Sequence, residues 1–250
     1  MGPLQGAVPV DQIARSLDIA DIRYEQLDGF EGMLLTDRLR TQGQILVNTK
    51  RGMPAARFSL AHELGHFLLE RHVLGLDGRF TCTQNDLREA RTAQLHQRQE
   101  AEANAFAIAL LAPQALAALF TVAEPSIAAA RGLRDRLELS LEAAARCLVA
   151  RHDEPLAAVW TKNRVIRYVV RGPRFPWIER GPQQVVSALS RTAEAFGRRL
   201  EGTTAMGEVA PAAWTNADIP ELFEQVRIGK EGHALTLLWA TLPECEDEED

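Results

Sequence analysis

Cysteine is scarce: Cys82, Cys147 and Cys245 are the only three in 250 residues, far apart and without a C-x-x-C pair. That excludes a disulfide framework and a cysteine-held zinc, and it fits a reducing cytoplasm. Positive charge is not in surplus either, with a formal net charge of −6, so no global basic field invites nucleic acid. The acids Glu244, Glu246, Asp247, Glu248, Glu249 and Asp250 crowd the end of the chain, which reads as an acidic, disordered tail over 244–250. Long apolar runs are nearly missing. The one stretch near membrane-spanning length, 105–123, is rich in alanine and broken by Pro113, which predicts core helices rather than a span. The start, MGPLQGAVPV, lacks the basic residues and apolar run of a secretory leader. A globular cytoplasmic protein is expected, since 46 % hydrophobic content is ample for a core.

What is present centres on RFSLAHELGHFLLER, residues 57–71, which contains His62, Glu63 and His66. Two histidines four apart on a helix stand one turn from each other on one face, so both imidazoles can reach one metal ion. Glu63 points about 100° further round, close enough to touch a water at the metal but badly placed as a ligand. Ligands are thereby separated from base. Phe58, Leu60, Ala61, Leu64, Leu68 and Leu69 supply the apolar face, and Pro54 suits a first turn. Gly65 in mid-helix costs up to about 1 kcal/mol against alanine, a sign that something packs closely there.

Ahead of this helix, 10–17 has the spacing of a short amphipathic helix, and 22–27, 32–35 and 44–48 read as strands. Residues 45–48 are the candidate free edge for strand addition by a peptide, with an ordinary internal strand as the other reading. Residues 75–99 read as a polar loop with a helical piece at 87–97, and 99–113 as a helix packed on one face and ended by Pro113. Two helices within 125–151 flank Leu137-Glu138-Leu139, with Ser140 as a cap. They look like part of a helix-turn-helix, but net +2 over their arginines and acids makes a weak DNA reader, so structural packing is expected. Beyond 154 a hairpin at 156–170 around Lys162-Asn163, a helix at 182–200 and a strand at 234–242 predict a second α+β domain. Trp160, Trp177, Trp214 and Trp239 all fall there and read as core.

A catalytic zinc takes three protein ligands and keeps one position open. His72 is a candidate, but a helix continuing past Leu69 turns it away from His66. Glu100 and Glu102 are the others, since a carboxylate on a second, antiparallel helix completes one large class of H-E-x-x-H enzymes. RFSLAHELGH followed by EAEANAFAIALLAP resembles the ImmA/IrrE-type zinc metallopeptidase family, whose second block runs E-A-N-x-F-A-x-x-L-L-x-P. The resemblance covers roughly 8–152; position 112 is Ala where methionine is common. It implies Glu102 as third metal ligand with His62 and His66, Glu100 as the fallback, Glu63 as general base, and Zn2+ as cofactor, with Mn2+ also suited to such ligands. It also implies a small zincin-like, minimal gluzincin-type core in an α+β chain. The divisions expected are 1–123 for that core, 124–153 for the helix-turn-helix-like segment and 154–243 for a sensor or docking domain. The implied activity is limited endoproteolysis of a helix-turn-helix transcriptional repressor in a stress or mobile-element response, without direct DNA or membrane binding. The alternative is a non-catalytic metal-containing regulator that binds DNA or a repressor through 125–151. Tyr24, Tyr168, His96, His152 and His233 are candidate oxyanion donors.

Overall fold

The computed structural model describes residues 6–73, 79–82, 95–113 and 124–243, with side chains omitted at 79–82 and 95–97. Most of the expected helical piece at 87–97, the second half of 105–123 and the acidic tail lie outside the described residues. The chain is mixed α+β and divides into two compact units, one comprising 1–116 with 134–143 and the other 117–133 with 144–250.

In the first unit, α1 (Val10–Ser16) leads into β1 (Ile19–Glu25), β2 (Gly32–Thr36) and β3 (Gly43–Asn48), then α2 (Met53–Leu68), β4 (Arg79–Cys82) and α3 (Leu95–Leu111). The sheet order is β1-β3-β2-β4, with β1 parallel to β3 and the other pairs antiparallel. The segment 45–48 is therefore interior, held by β1 on one side and β2 on the other, and among the described residues β1 and β4 are the outer strands. Sequence could not reveal this, because β1 skips β2 in space to pair with β3. Val47, Ile45 and Leu34 are buried beneath α2, whose apolar face explains the alternation of these strands. Tyr24 ties β1 to α1 by donating its hydroxyl to Asp11 Oδ1 at 2.8 Å, a structural role rather than an oxyanion-binding one. Asn48 staples the loop ahead of β2, donating to the carbonyls of Leu27 at 2.8 Å and Phe30 at 2.7 Å.

Helices α4 (Ile127–Leu137) and α5 (Leu141–Arg151) start where serines cap them: Ser126 Oγ accepts from Ala129 N and Ser140 Oγ from Ala143 N, both at 3.0 Å. The second unit continues with β5 (Leu156–Lys162), β6 (Val165–Arg171), α6 (Arg191–Gly197), the short β7 (Gly202–Thr203) and β8 (Gly207–Glu208), β9 (Leu222–Ile228) and β10 (His233–Ala240). Its sheet runs β6-β5-β10-β9-β7, antiparallel throughout, with β8 also on β9. The β5–β6 turn carries Asn163 and Arg164 at φ 50° and 69°, the left-handed pair that a tight hairpin requires. The helix expected over 182–200 is only 191–197. Its first half instead bonds along β6, with Gln183 N donating to Ile166 O at 2.9 Å and Val186 N to Arg164 O at 2.9 Å. Of the tryptophans, Trp214 is core at 1 % exposure, whereas Trp177 is 66 % exposed beneath the Arg171 guanidinium.

Candidate metal centre

Helix α2 buries Leu60 through Phe67 without a break, so His62, Glu63 and His66 all face protein. Helix α3 crosses it at close range. A Cβ on Gly65 would lie 3.0 Å from Phe106 Cδ1 and 3.3 Å from Ala103 Cα, so only glycine lets the two helices approach this far.

That approach brings three donors together. The Nε2 atoms of His62 and His66 are 3.0 Å apart. Glu100 places Oε2 at 3.2 Å from the first and Oε1 at 3.2 Å from the second, and all three side chains are at most 2 % exposed. Donors around a tetrahedral zinc at about 2.0–2.1 Å stand roughly 3.3 Å from one another, so two imidazoles and a carboxylate at these spacings fit a divalent cation. Among the described residues, this is the one such group of three.

The carboxylate is thus Glu100, and Glu102 is placed elsewhere. Glu102 Oε2 accepts from Arg71 Nε at 2.8 Å and lies 3.0 Å from His72 Nε2, while Oε1 accepts from Arg98 Nε at 3.1 Å. Helical geometry explains the correction: two residues turn the side chain by about 200°. Glu100 shares a stripe with Ala103, Ala107 and Leu111, all buried, whereas Glu102 is partly exposed. His72 does not face away as a continued helix requires. Helix α2 stops at Leu68, and Arg40, at φ 51° in the β2–β3 turn, donates to Leu69 O at 2.6 Å and to His72 O. The chain folds back, and His72 Nδ1 comes to 2.9 Å from His66 Nδ1, behind the donor cluster. His62 has its own support, its Nδ1 being 3.1 Å from Asn104 Oδ1.

Glu63 is fully buried beside Gly32. A Cβ at position 32 would fall 2.5 Å from Glu63 Oε1 and 3.0 Å from its Cγ. The missing side chain in β2 is what leaves room for the acid.

Electrostatics divide the imidazoles. Burial and the neighbouring His62 charge push His66 down to about 4, against its hydrogen bond to Glu100. Burial also opposes the charged form of His62, but the Glu100 hydrogen bond and the charges of Glu63 and Glu100 outweigh it and hold the ring above its ordinary value. Burial likewise raises Glu100, yet hydrogen bonds from both rings prevail and keep it well below the usual carboxylate range. Arg71, then His72 and Arg98, pull Glu102 down to about 2. A cation needs both rings deprotonated, and they lose that form at different pH: His62, held above its ordinary value, before His66, held at about 4. Cation affinity is therefore expected to weaken as pH falls, first through the His62 range and again near pH 4. Zinc titrations against a competing chelator across pH read this directly; an affinity independent of pH would contradict it.

The remaining oxyanion candidates gain no support here. The His96 side chain lies outside the described set. In the second unit Tyr168 stacks on Trp160 at 4.5 Å, His152 Nδ1 accepts from Glu154 N at 3.0 Å, and His233 opens β10. Sequence reasoning passed over Asn104, Gly32 and Arg40. Asn104 was findable, one turn beyond Glu100 on the same stripe.

Among solved structures, the chain is similar to a Mycobacterium tuberculosis transcriptional regulator at 13 % identity, with a TM-score of 0.57 over 92 % of this chain and 69 % of that one. At that identity the likeness concerns the fold alone. No curated protein matches significantly. The family described as the IrrE N-terminal-like domain, Peptidase M78, matches residues 19–148, which include both helices of the donor cluster and the whole sheet beneath them. The chain belongs to the IrrE N-terminal-like, Peptidase M78 family.

Proposed function

We propose that the protein is an intracellular metal-dependent endopeptidase that makes a limited, site-specific cut in a helix-turn-helix transcriptional repressor. The observation that carries the reading is the convergence of His62, His66 and Glu100, with the fully buried Glu63 next to a ligand on the same helix. A divalent cation held there supplies Lewis-acid chemistry, acidifying water and polarising a peptide carbonyl. Zinc suits the donor set best, and manganese accepts it. The chain's own residues do the rest. His62, His66 and Glu100 hold the cation, and Asn104 keeps the His62 ring turned toward it. Glu63 takes a proton from the attacking water and returns it to the leaving amine.

A repressor substrate is supported by the family resemblance, and the likeness to a protein described as a transcriptional regulator is compatible with it. A zincin-like core, a helix-turn-helix-like pair and a sensor or docking role for the C-terminal unit complete the reading. The competing reading is a non-catalytic regulator that binds DNA or a repressor through 125–151; against DNA recognition by α5 stand the burial of Ala144, Ala145, Cys147, Leu148 and Val149 and Arg146 lying 5.1 Å over the Tyr168 ring. The test is incubation of the zinc- or manganese-loaded protein with helix-turn-helix repressors encoded nearby, followed by fragment masses. One discrete cut, lost on chelation, is expected; intact repressors throughout, or a cut that survives chelation, would overturn the proposal.

A further inference from the structure

We infer that α4 and α5 are a brace shared by the two units, so that a cation bound in the first unit stabilises the second as well. The choice of ligand rests on the metal-centre reading, while the brace itself rests on backbone and packing alone.

Both helices cross the division of the chain. Residues 134–143 belong with the first unit, and 117–133 and 144–250 make up the second, so the division falls inside α4 between Leu133 and Arg134 and inside α5 between Ala143 and Ala144. The first unit holds only about one turn of each, Arg134–Leu137 and Leu141–Ala143. So short a piece does not stay helical in water unless a longer helix nucleates it. Because every helical amide bonds to a carbonyl one turn back, hydrogen bonds of both helices run across the division. Neither unit can lose these helices without fraying the other's share.

Each share is anchored where it lies. In the first unit Leu137 and Leu139 are 0 % and 3 % exposed. Glu138, at φ 51°, turns the chain between them, and Leu139 N donates to Arg134 O at 3.0 Å. Arg57 of α2 clamps that turn: its Nη1 lies 3.2 Å from Glu138 Oε2, and its Nη2 donates to Val8 O at 2.9 Å. This is the helix that carries His62 and His66. In the second unit Ile127 N donates to Gln225 Oε1 of β9 at 2.7 Å, and Ala144, Ala145, Cys147, Leu148 and Val149 are buried along α5. The metal-bearing helix and the second sheet thus hold the same two helices. Coupling of this kind is reciprocal, so whatever stabilises the second unit also tightens the cation in the first.

The experiment reads the second unit by itself, because all four tryptophans, Trp160, Trp177, Trp214 and Trp239, lie in it. Thermal unfolding of the full-length chain is followed by tryptophan fluorescence with and without zinc. At about a hundredfold excess of zinc over its Kd, the tryptophan midpoint is expected to rise by about 5–10 °C. Arg134→Pro, which removes an amide bonded across the division and kinks α4 there, should still bind zinc but lose more than half of that rise at equal saturation. Without zinc, Leu34→Ala beneath α2 should lower the tryptophan midpoint although it cuts only the core of the first unit. A tryptophan midpoint unmoved by bound zinc, a full rise in Arg134→Pro, or an unchanged midpoint in Leu34→Ala would each overturn the brace. If Arg134→Pro does not fold, zinc on the wild type and Leu34→Ala decide. A wild type that takes no zinc refutes the metal centre, and Leu34→Ala still decides the brace.

Discussion

Under the proposed function, Glu63→Gln protein is expected to take up metal as the wild type does and to cleave a helix-turn-helix repressor about 10²–10⁴-fold more slowly, the worth of a positioned general base. The amide keeps the shape of the acid and removes only its capacity to accept and return a proton. Gly32→Ala should reproduce that loss without touching the acid. Its methyl would stand 2.5 Å from Glu63 Oε1 and 3.0 Å from Cγ, and with Glu63 at 0 % exposure the carboxylate must leave its place. The three atoms nearest that methyl all belong to Glu63, so metal content should hold while turnover collapses. Metal analysis beside mass-resolved cleavage separates the two quantities. Unimpaired cleavage in either variant would remove Glu63 from the mechanism.

The largest stability effect belongs to the second unit. Glu224 on β9 is fully buried and accepts four hydrogen bonds, from Arg191 N at 3.0 Å, Thr192 N at 2.7 Å, Thr192 Oγ1 at 2.6 Å and Trp214 Nε1 at 2.9 Å. It thus serves the first free amides of α6 and the indole of the central core residue, while Ser190 Oγ accepts from Ala193 N at 3.1 Å. Glu224→Ala strands those donors without water, a loss of about 3–5 kcal/mol. Glu224→Gln should fare little better, because its NH2 must face an N–H. Melting followed by tryptophan near-ultraviolet dichroism is expected about 10 °C lower for Glu224→Ala. A shift of about a degree would show that the carboxylate is dispensable.

Much of this molecule is readable in short stretches of sequence. Ser140 announces its helix, Lys162-Asn163 announces its hairpin, and the spacing of His62 and His66 announces a shared face. The mistakes come from contacts between distant segments. Strand β3 looks terminal in sequence, yet β1 returns beside it. His72 looks averted because the helix seems free to continue, but Arg40 from the preceding hairpin ends it. Glu102 followed from the spacing of a motif, whereas the buried stripe of Ala103, Ala107 and Leu111 already pointed to Glu100. Strands β7, β8 and β9 left little signal, since two of them are dipeptides and β9 carries a glutamate and a glutamine whose partners lie elsewhere.

The near-contact of helix backbones at Gly65 has a consequence for the order of events in the life of the polypeptide. Helix α2 by itself offers two imidazoles, which makes a weak and indiscriminate chelator; the third arm arrives from a segment more than thirty residues later, and only when Phe106 and Ala103 have settled over the glycine. The three-donor cluster is therefore a product of the packing of α2 against α3, and neither helix carries it alone.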